Sequence, residues 1–273
     1  MIPVLKKSNP SSVSSGLRPR AIPVLTVRGE GLVKTIQFKE PRYIGDPLNS
    51  VKIFNDCEVD EILVLDITRN LTEPRFDLIK QLCAEAFMPL SYGGGIRSYS
   101  HIETLFSLGI EKVSLNTEAF GSEKLISRAA RQYGSQSVLA CIDYKKNFWG
   151  KRESFIAGGD QKLGMTPYEA AKKAEELGAG EIILHSIDHE GLMKGYDIEL
   201  IQSVAKDVRV PVIAAGGAKD LTDMKKAVLA GASAAAAGSM FVYHGKLKGI
   251  LINYPKQSEL RKVFSGEVLE RSV

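Results

Sequence analysis

The chemistry available to this chain starts from two glycine clusters. Gly93-Gly94-Gly95 and Gly216-Gly217 each follow a short apolar run, and one segment later come the small or hydroxylated pairs Asn116-Thr117 and Gly238-Ser239. Glycine lets a backbone approach an anion closely, and amides at the start of a helical turn donate to phosphate oxygens. One isolated glycine pair would serve a tight turn equally well. Two in register point to two phosphate sites, and a ligand with a phosphate at each end would span them.

These residues need a scaffold that brings them to one face. From Ala21 onward, runs rich in Val, Ile and Leu alternate with stretches of helical periodicity, the pattern of repeated strand–helix units around a parallel sheet. Eight strands are expected: Ala21 to Val27, Glu61 to Asp66, Met88 to Tyr92, Lys112 to Asn116, Ser137 to Asp143, Glu181 to Ile187, Val210 to Ala214 and Ala234 to Ala237. Helical patterns between them include Pro47 to Phe54, Arg75 to Ala86, Glu123 to Tyr133, Thr166 to Leu177, Ile198 to Ala205 and Leu221 to Ala230. Eight alternations close a (β/α)8 TIM barrel, whose sites lie at the C-terminal ends of the strands. Asp66 ends the second strand, where a carboxylate has reason to be functional.

An internal repeat supports this reading, because long-period self-similarity is hard to produce by composition alone. Asp60-Glu61-Ile62-Leu63 matches Gly180-Glu181-Ile182-Ile183. At nearly the same offset, the segment from Met88 to Gly95 matches that from Val210 to Gly217. Two half-barrels of four units each follow.

Composition narrows the class. The 273 residues suit one barrel, and the 44% hydrophobic and 25% charged shares are those of a soluble globular protein. A net charge of +4, without a basic run interleaved with aromatics, argues against nucleic acid, and no apolar stretch suggests a membrane span. Cys57, Cys83 and Cys141 are odd in number and far apart, with no CxxC pair, so no disulfide framework, metal or cofactor is expected. A cytoplasmic location fits this cysteine usage. The sequon-like Asn70-Leu71-Thr72 then carries no glycosylation meaning. Residues 1–19, Ser-rich with Lys6, Lys7 and Pro10, read as a flexible leader, and residues 20–273 as one barrel domain.

From about Arg20 to His244 the chain resembles the cyclase subunit of imidazole glycerol phosphate synthase, the HisF family of histidine biosynthesis. Gly31-Leu32-Val33-Lys34, Leu65-Asp66-Ile67, Gly93-Gly94-Gly95-Ile96, Lys112-Val113-Ser114-Leu115-Asn116-Thr117, Ile142-Asp143 and Ser186-Ile187-Asp188-His189-Glu190-Gly191 carry the resemblance. It implies a lyase/cyclase barrel that takes ammonia from a HisH-like glutaminase subunit docked on its N-terminal face. At the C-terminal face that ammonia splits and cyclises a bis-phosphorylated ribonucleotide. It also implies Lys34 and Asp66 as substrate-binding residues, Glu190-Gly191 as part of the second phosphate turn, and an ammonia gate formed by Arg20, Glu61, Lys112 and Glu181.

The resemblance breaks at the chemistry. The family uses two aspartates as general acid and base. The fifth-strand one is present as Asp143, but the first-strand position is Thr26, which hydrogen-bonds without titrating near neutral pH. His185 stands where a small hydroxyl residue is common, and with Asp143 it forms a candidate substitute proton-transfer pair. Cys141 reads as a packed core thiol. Leu32-Val33-Lys34-Thr35, Tyr43-Ile44-Gly45-Asp46-Pro47 and Phe87-Met88-Pro89-Leu90 resemble the paralogous branch that works with a glutaminase and a sugar amidotransferase in lipopolysaccharide and other surface-polysaccharide pathways, making acetamidino sugars. The expected function is thus ammonia delivery to a phosphorylated small molecule or to that amidotransferase. The alternatives are a genuine histidine-pathway cyclase and a non-catalytic scaffold that activates a glutaminase.

Overall fold

The computed structural model describes residues 18–121, 124–245 and 247–265, so most of the expected leader lies outside the described residues. Eight parallel strands form the barrel: β1 (Arg20–Arg28), β2 (Ile62–Asp66), β3 (Leu90–Gly93), β4 (Lys112–Leu115), β5 (Val138–Lys146), β6 (Glu181–Ser186), β7 (Val212–Ala215) and β8 (Ala234–Ala237). The ladder runs β1 to β8 in order. It closes where β8 pairs with β1, Arg20 opposite Ala234, with β5 and β6 in register from Glu181 opposite Leu139 to Ser186 opposite Tyr144. The expected barrel is the observed one, with edges displaced by a few residues.

Two displacements share one cause. β3 and β7 begin at Leu90 and Val212, two residues after the expected starts, because Pro89 and Pro211 lack the N–H a ladder needs. Their carbonyls still serve: Ile62 N donates to Pro89 O at 3.0 Å and Ile182 N to Pro211 O at 2.9 Å. The half-barrel repeat thus extends to equivalent backbone bonds.

Strand alternation sorts the core into two shells. Ile22, Leu63, Leu139, Cys141, Ile183, Ile213, Ala215, Ala234 and Ala236 fill the barrel interior. The opposite faces, with Ile62, Val64, Val113, Ile142, Ile182 and Leu184, pack against the surrounding helices. Those helices are α1 (Pro47–Asp56), α2 (Phe76–Glu85), α3 (Tyr99–Ser107), α4 (Leu125–Tyr133), α5 (Pro167–Leu177), α6 (Ile198–Asp207), α7 (Leu221–Leu229) and the single turn α8 (Ser239–Val242). Side chains of Asp46, Ser98, Thr166, Asp197 and Asp220 accept from the first free amides of α1, α3, α5, α6 and α7. α9 (Gln257–Phe264) returns against α7.

Two antiparallel excursions leave the mouth. After β1, residues 31–36 and 39–45 form a hairpin whose first strand also pairs with the end of β1. After β5, residues 152–156 fold back along it, Phe155 opposite Asp143, which prolongs β5 to Lys146.

Candidate active site at the strand C-termini

The last inward positions of β1, β5 and β6 are Thr26, Asp143 and His185. All three are buried and line a cavity of about 500 Å³ at the mouth. The register that sets His185 beside Asp143 brings His185 Nδ1 to 3.1 Å from Asp143 Oδ1. His185 Nε2 lies 3.4 Å from Glu190 Oε2, and the Cys141 thiol donates to Asp143 Oδ1 at 3.6 Å. Burial disfavours a charged imidazole here, yet hydrogen bonds with Asp143, Cys141 and Glu190 outweigh it and hold the His185 pKa well above its ordinary value. Burial pushes the Cys141 thiol up to about 11, reinforced by the Asp143 charge. Desolvation pushes the Glu190 carboxyl up, but the His185 hydrogen bond and charge, together with Lys34, keep it below the usual range. The His185 ring thus lies between the carboxyl groups of Asp143 and Glu190. Cys141, Asp143 and His185 each also offer a metal-donor atom, all within 4.8 Å of one another.

The β1 hairpin covers this cluster. Phe38 meets the His185 ring edge-on at 5.0 Å. Gln37 N donates to Glu190 O and its side-chain amide to Asp188 O, both at 3.0 Å. Gly191, at φ +74, brings its backbone against the Thr35 carbonyl, leaving no room for a side chain. Lys34 is 3% exposed; its ammonium donates to Val24 O at 2.8 Å and sits over Gly238, where a Cβ would collide with it. Burial brings the Lys34 pKa down to about 8, opposed by the Glu190 charge.

The expected phosphate residues fall on two sides of the mouth. Gly94, Gly95, Asn116 and Thr117 line the main cavity. Glu190, Gly191, Gly216, Gly217, Gly238 and Ser239 line one small cleft, where the buried Ser239 hydroxyl has no hydrogen-bond partner among the described residues. Ser114, on the first side, carries a second such hydroxyl. The glycines are also required by the backbone: Gly94 at φ +125 lies against Asp66 O and Gly216 at φ +82 against Ser186 O, equivalent contacts in the two halves. Asn116 and Thr117 hold the β5 excursion, through Asn116 Nδ2 to Cys141 O at 3.0 Å and Ala157 N to Thr117 Oγ1 at 3.1 Å. Asp66 lines the cavity but is clamped by Arg75, whose Nε donates to it at 2.7 Å.

At the opposite end of the barrel, Arg20, Glu61, Lys112 and Glu181 close a ring of alternating charge. Arg20 bonds Glu61 and, at 3.0 and 3.1 Å, Glu181. Lys112 completes it, 3.0 Å from Glu61 and 3.1 Å from Glu181. Ser91 Oγ donates to the second Glu61 oxygen at 2.6 Å. Above the ring, the interior is the apolar shell that ends at the cavity.

The four ring residues stand together, as do the residues of each glycine cluster, whereas Arg75 and Phe38 are not among the residues expected from the sequence. Cys141 and Asp143, two apart on one strand, share the inner face that their spacing predicts, and the thiol packed in the interior also bonds the carboxylate.

Residues 20–248 match the family described as histidine biosynthesis protein. A Pseudomonas aeruginosa protein with the provisional name imidazole glycerol phosphate synthase subunit hisF2 is 48% identical over 249 residues, covering 89% of this chain and 98% of its own. A Vibrio vulnificus protein with the provisional name hisF3 is 46% identical over 253 residues, 90% of this chain and 96% of its own. The imidazole glycerol phosphate synthase subunit HisF of Alkaliphilus metalliredigens is 39% identical over 228 residues, 82% of this chain and 90% of its own. Among the described residues, no helix is long and apolar enough to cross a membrane.

Proposed function

Since the chain belongs to the histidine biosynthesis protein family, among its HisF-like barrels, we propose that it receives ammonia from a glutaminase subunit docked on its N-terminal face and delivers it to an acceptor at the mouth. The observation that carries this reading is the closed ring of Arg20, Glu61, Lys112 and Glu181 beneath an apolar interior. Buried charges are costly unless they are paired and used, and a neutral amine passes an apolar shell that rejects an ammonium ion. Ammonia released into neutral water becomes mostly ammonium, which is no nucleophile. A sealed port therefore has a chemical purpose.

The acceptor lies outside the histidine pathway on this reading. Thr26 cannot titrate, and Asp143 is occupied by His185, so the acid/base pair of a cyclase is altered at both members. The resemblance to the surface-polysaccharide branch suggests an acetamidino-sugar precursor or the sugar amidotransferase that makes it. Phosphate on the acceptor would meet the two glycine sites, where Ser114 and Ser239 keep unpaired hydroxyls. A histidine-pathway cyclase is the second reading, favoured by the retention of both glycine sites.

The test is to mix the chain with the glutaminase encoded beside it and measure complex formation, glutamine hydrolysis and glutamine-dependent amination. Lys112→Met should leave glutamine hydrolysis and ammonium-dependent amination intact while lowering the glutamine-dependent rate at least several-fold. No binding at micromolar concentration and no change in hydrolysis would reject the port.

A further inference from the structure

We propose that Cys141, Asp143 and His185 form a zinc(II) site whose fourth position opens into the mouth cavity. The three donors are set by strand geometry. Cys141 and Asp143 alternate onto the inner face of β5, and His185 stands opposite Asp143 on β6. Zinc binds sulfur at about 2.3 Å and nitrogen or oxygen at about 2.0–2.2 Å, so a tetrahedral site has S–O edges of about 3.5 Å and N–O edges of about 3.3 Å. The separations here are 3.6 Å for Cys141 Sγ to Asp143 Oδ1 and 3.1 Å for His185 Nδ1 to Asp143 Oδ1. The third edge is the loosest, with all donors inside 4.8 Å.

Glu190 supplies an independent argument. Metal-bound imidazoles usually give their second nitrogen to a carboxylate, which fixes the ring and strengthens the ligand. His185 presents Nε2 to Glu190 Oε2 at 3.4 Å, on the side away from the three donors. Phe38 packs edge-on against the His185 ring at 5.0 Å. Thiolate, imidazole and carboxylate together favour zinc over magnesium or calcium. Three protein ligands with one open position is the arrangement of a zinc that handles a substrate rather than one that only holds a fold. All three ligands line the cavity, so the open position faces into it. The absence of a CxxC pair hid this site, because its ligands come from two neighbouring strands.

The inference stands apart from the ammonia reading, since its test involves no amination. Full-length chain stripped with chelator is titrated with cobalt(II), then with zinc(II) in competition with a chromophoric chelator. One equivalent should bind, zinc at submicromolar concentration, and cobalt should show near-ultraviolet thiolate charge transfer with the strong visible bands of a tetrahedral site. Cys141→Ala should abolish the charge transfer, His185→Ala should weaken zinc at least a hundred-fold, and Glu190→Gln about ten-fold. A wild-type protein without the thiolate band, or with a band that survives Cys141→Ala, overturns the site and leaves a hydrogen-bonded proton-transfer cluster. The wild-type cobalt spectrum decides the matter even where a variant fails to fold.

Discussion

Thr26 and His185 act on the mouth together: one removes a carboxylate and the other occupies the carboxylate that remains. The chain, given the bis-phosphorylated histidine-pathway substrate and ammonium, should turn over roughly a hundred- to ten-thousand-fold more slowly than relatives with both aspartates. Thr26→Asp alone should recover only part of that rate, because His185 still holds Asp143. Adding His185→Thr should recover more than the two single changes combined, and steady-state formation of imidazole glycerol phosphate measures both. Thr26 was legible in the sequence because one residue broke a long resemblance. The cluster around Asp143 was legible as the pair with His185 and the face shared with Cys141, but nothing in the chain order announces that Glu190 reaches the far side of the same ring.

Lys34 offers a pH test at the same scale. Its pKa falls from 10.5 to about 8 in the folded chain, so between those values the unfolded state binds the additional proton. Stability should therefore rise with pH across that window, by at most about 1.4 kcal/mol per pH unit. Lys34→Met removes the titration, so the difference between wild type and variant in urea unfolding should grow in favour of the wild type from pH 8 to pH 10. A difference that stays flat would mean that the ammonium is hydrated in solution.

Among the elements, the turns after β3 and β7 are the most constrained. Gly216→Ala would force a side chain into φ +82 with its Cβ 2.5 Å from Ser186 O, and Gly94→Ala makes the equivalent demand against Asp66 O. Either should destabilise the barrel by more than the roughly 1–3 kcal/mol of backbone strain alone. Gly150→Ala has a similar φ of +75 but open space around it, and should cost only that strain of roughly 1–3 kcal/mol. Chemical denaturation of the three variants separates clash from strain. The barrel strands were legible because a buried parallel strand reads as a continuous apolar run. The two mouth excursions were not: their strands are mixed in polarity, half solvated, and paired with a neighbour that only the closed barrel provides.

At the scale of the whole molecule, the half-barrel repeat places one acidic residue of the ring in each half, Glu61 and Glu181, and Arg20 and Lys112 bridge them. Glu61 is buried and bonded to Arg20, Lys112 and Ser91. Glu61→Gln should thus cost on the order of 3 kcal/mol in urea unfolding, because it leaves two cations facing a single acid. A cost below about 1 kcal/mol would mean that the ring is solvated from below.

A ring held this firmly raises a question of timing. If each passage required one ion pair to part at a cost of about 5 kcal/mol, transition-state arithmetic gives openings on the order of 10⁹ per second. Slow collective motion could lengthen the interval a thousand-fold and still leave about a million openings for each second in which an enzyme completes roughly ten turnovers. On the proposed reading, such a ring can stay shut for nearly all of its life, excluding water and hydrated ions, without ever setting the pace of amination at the mouth.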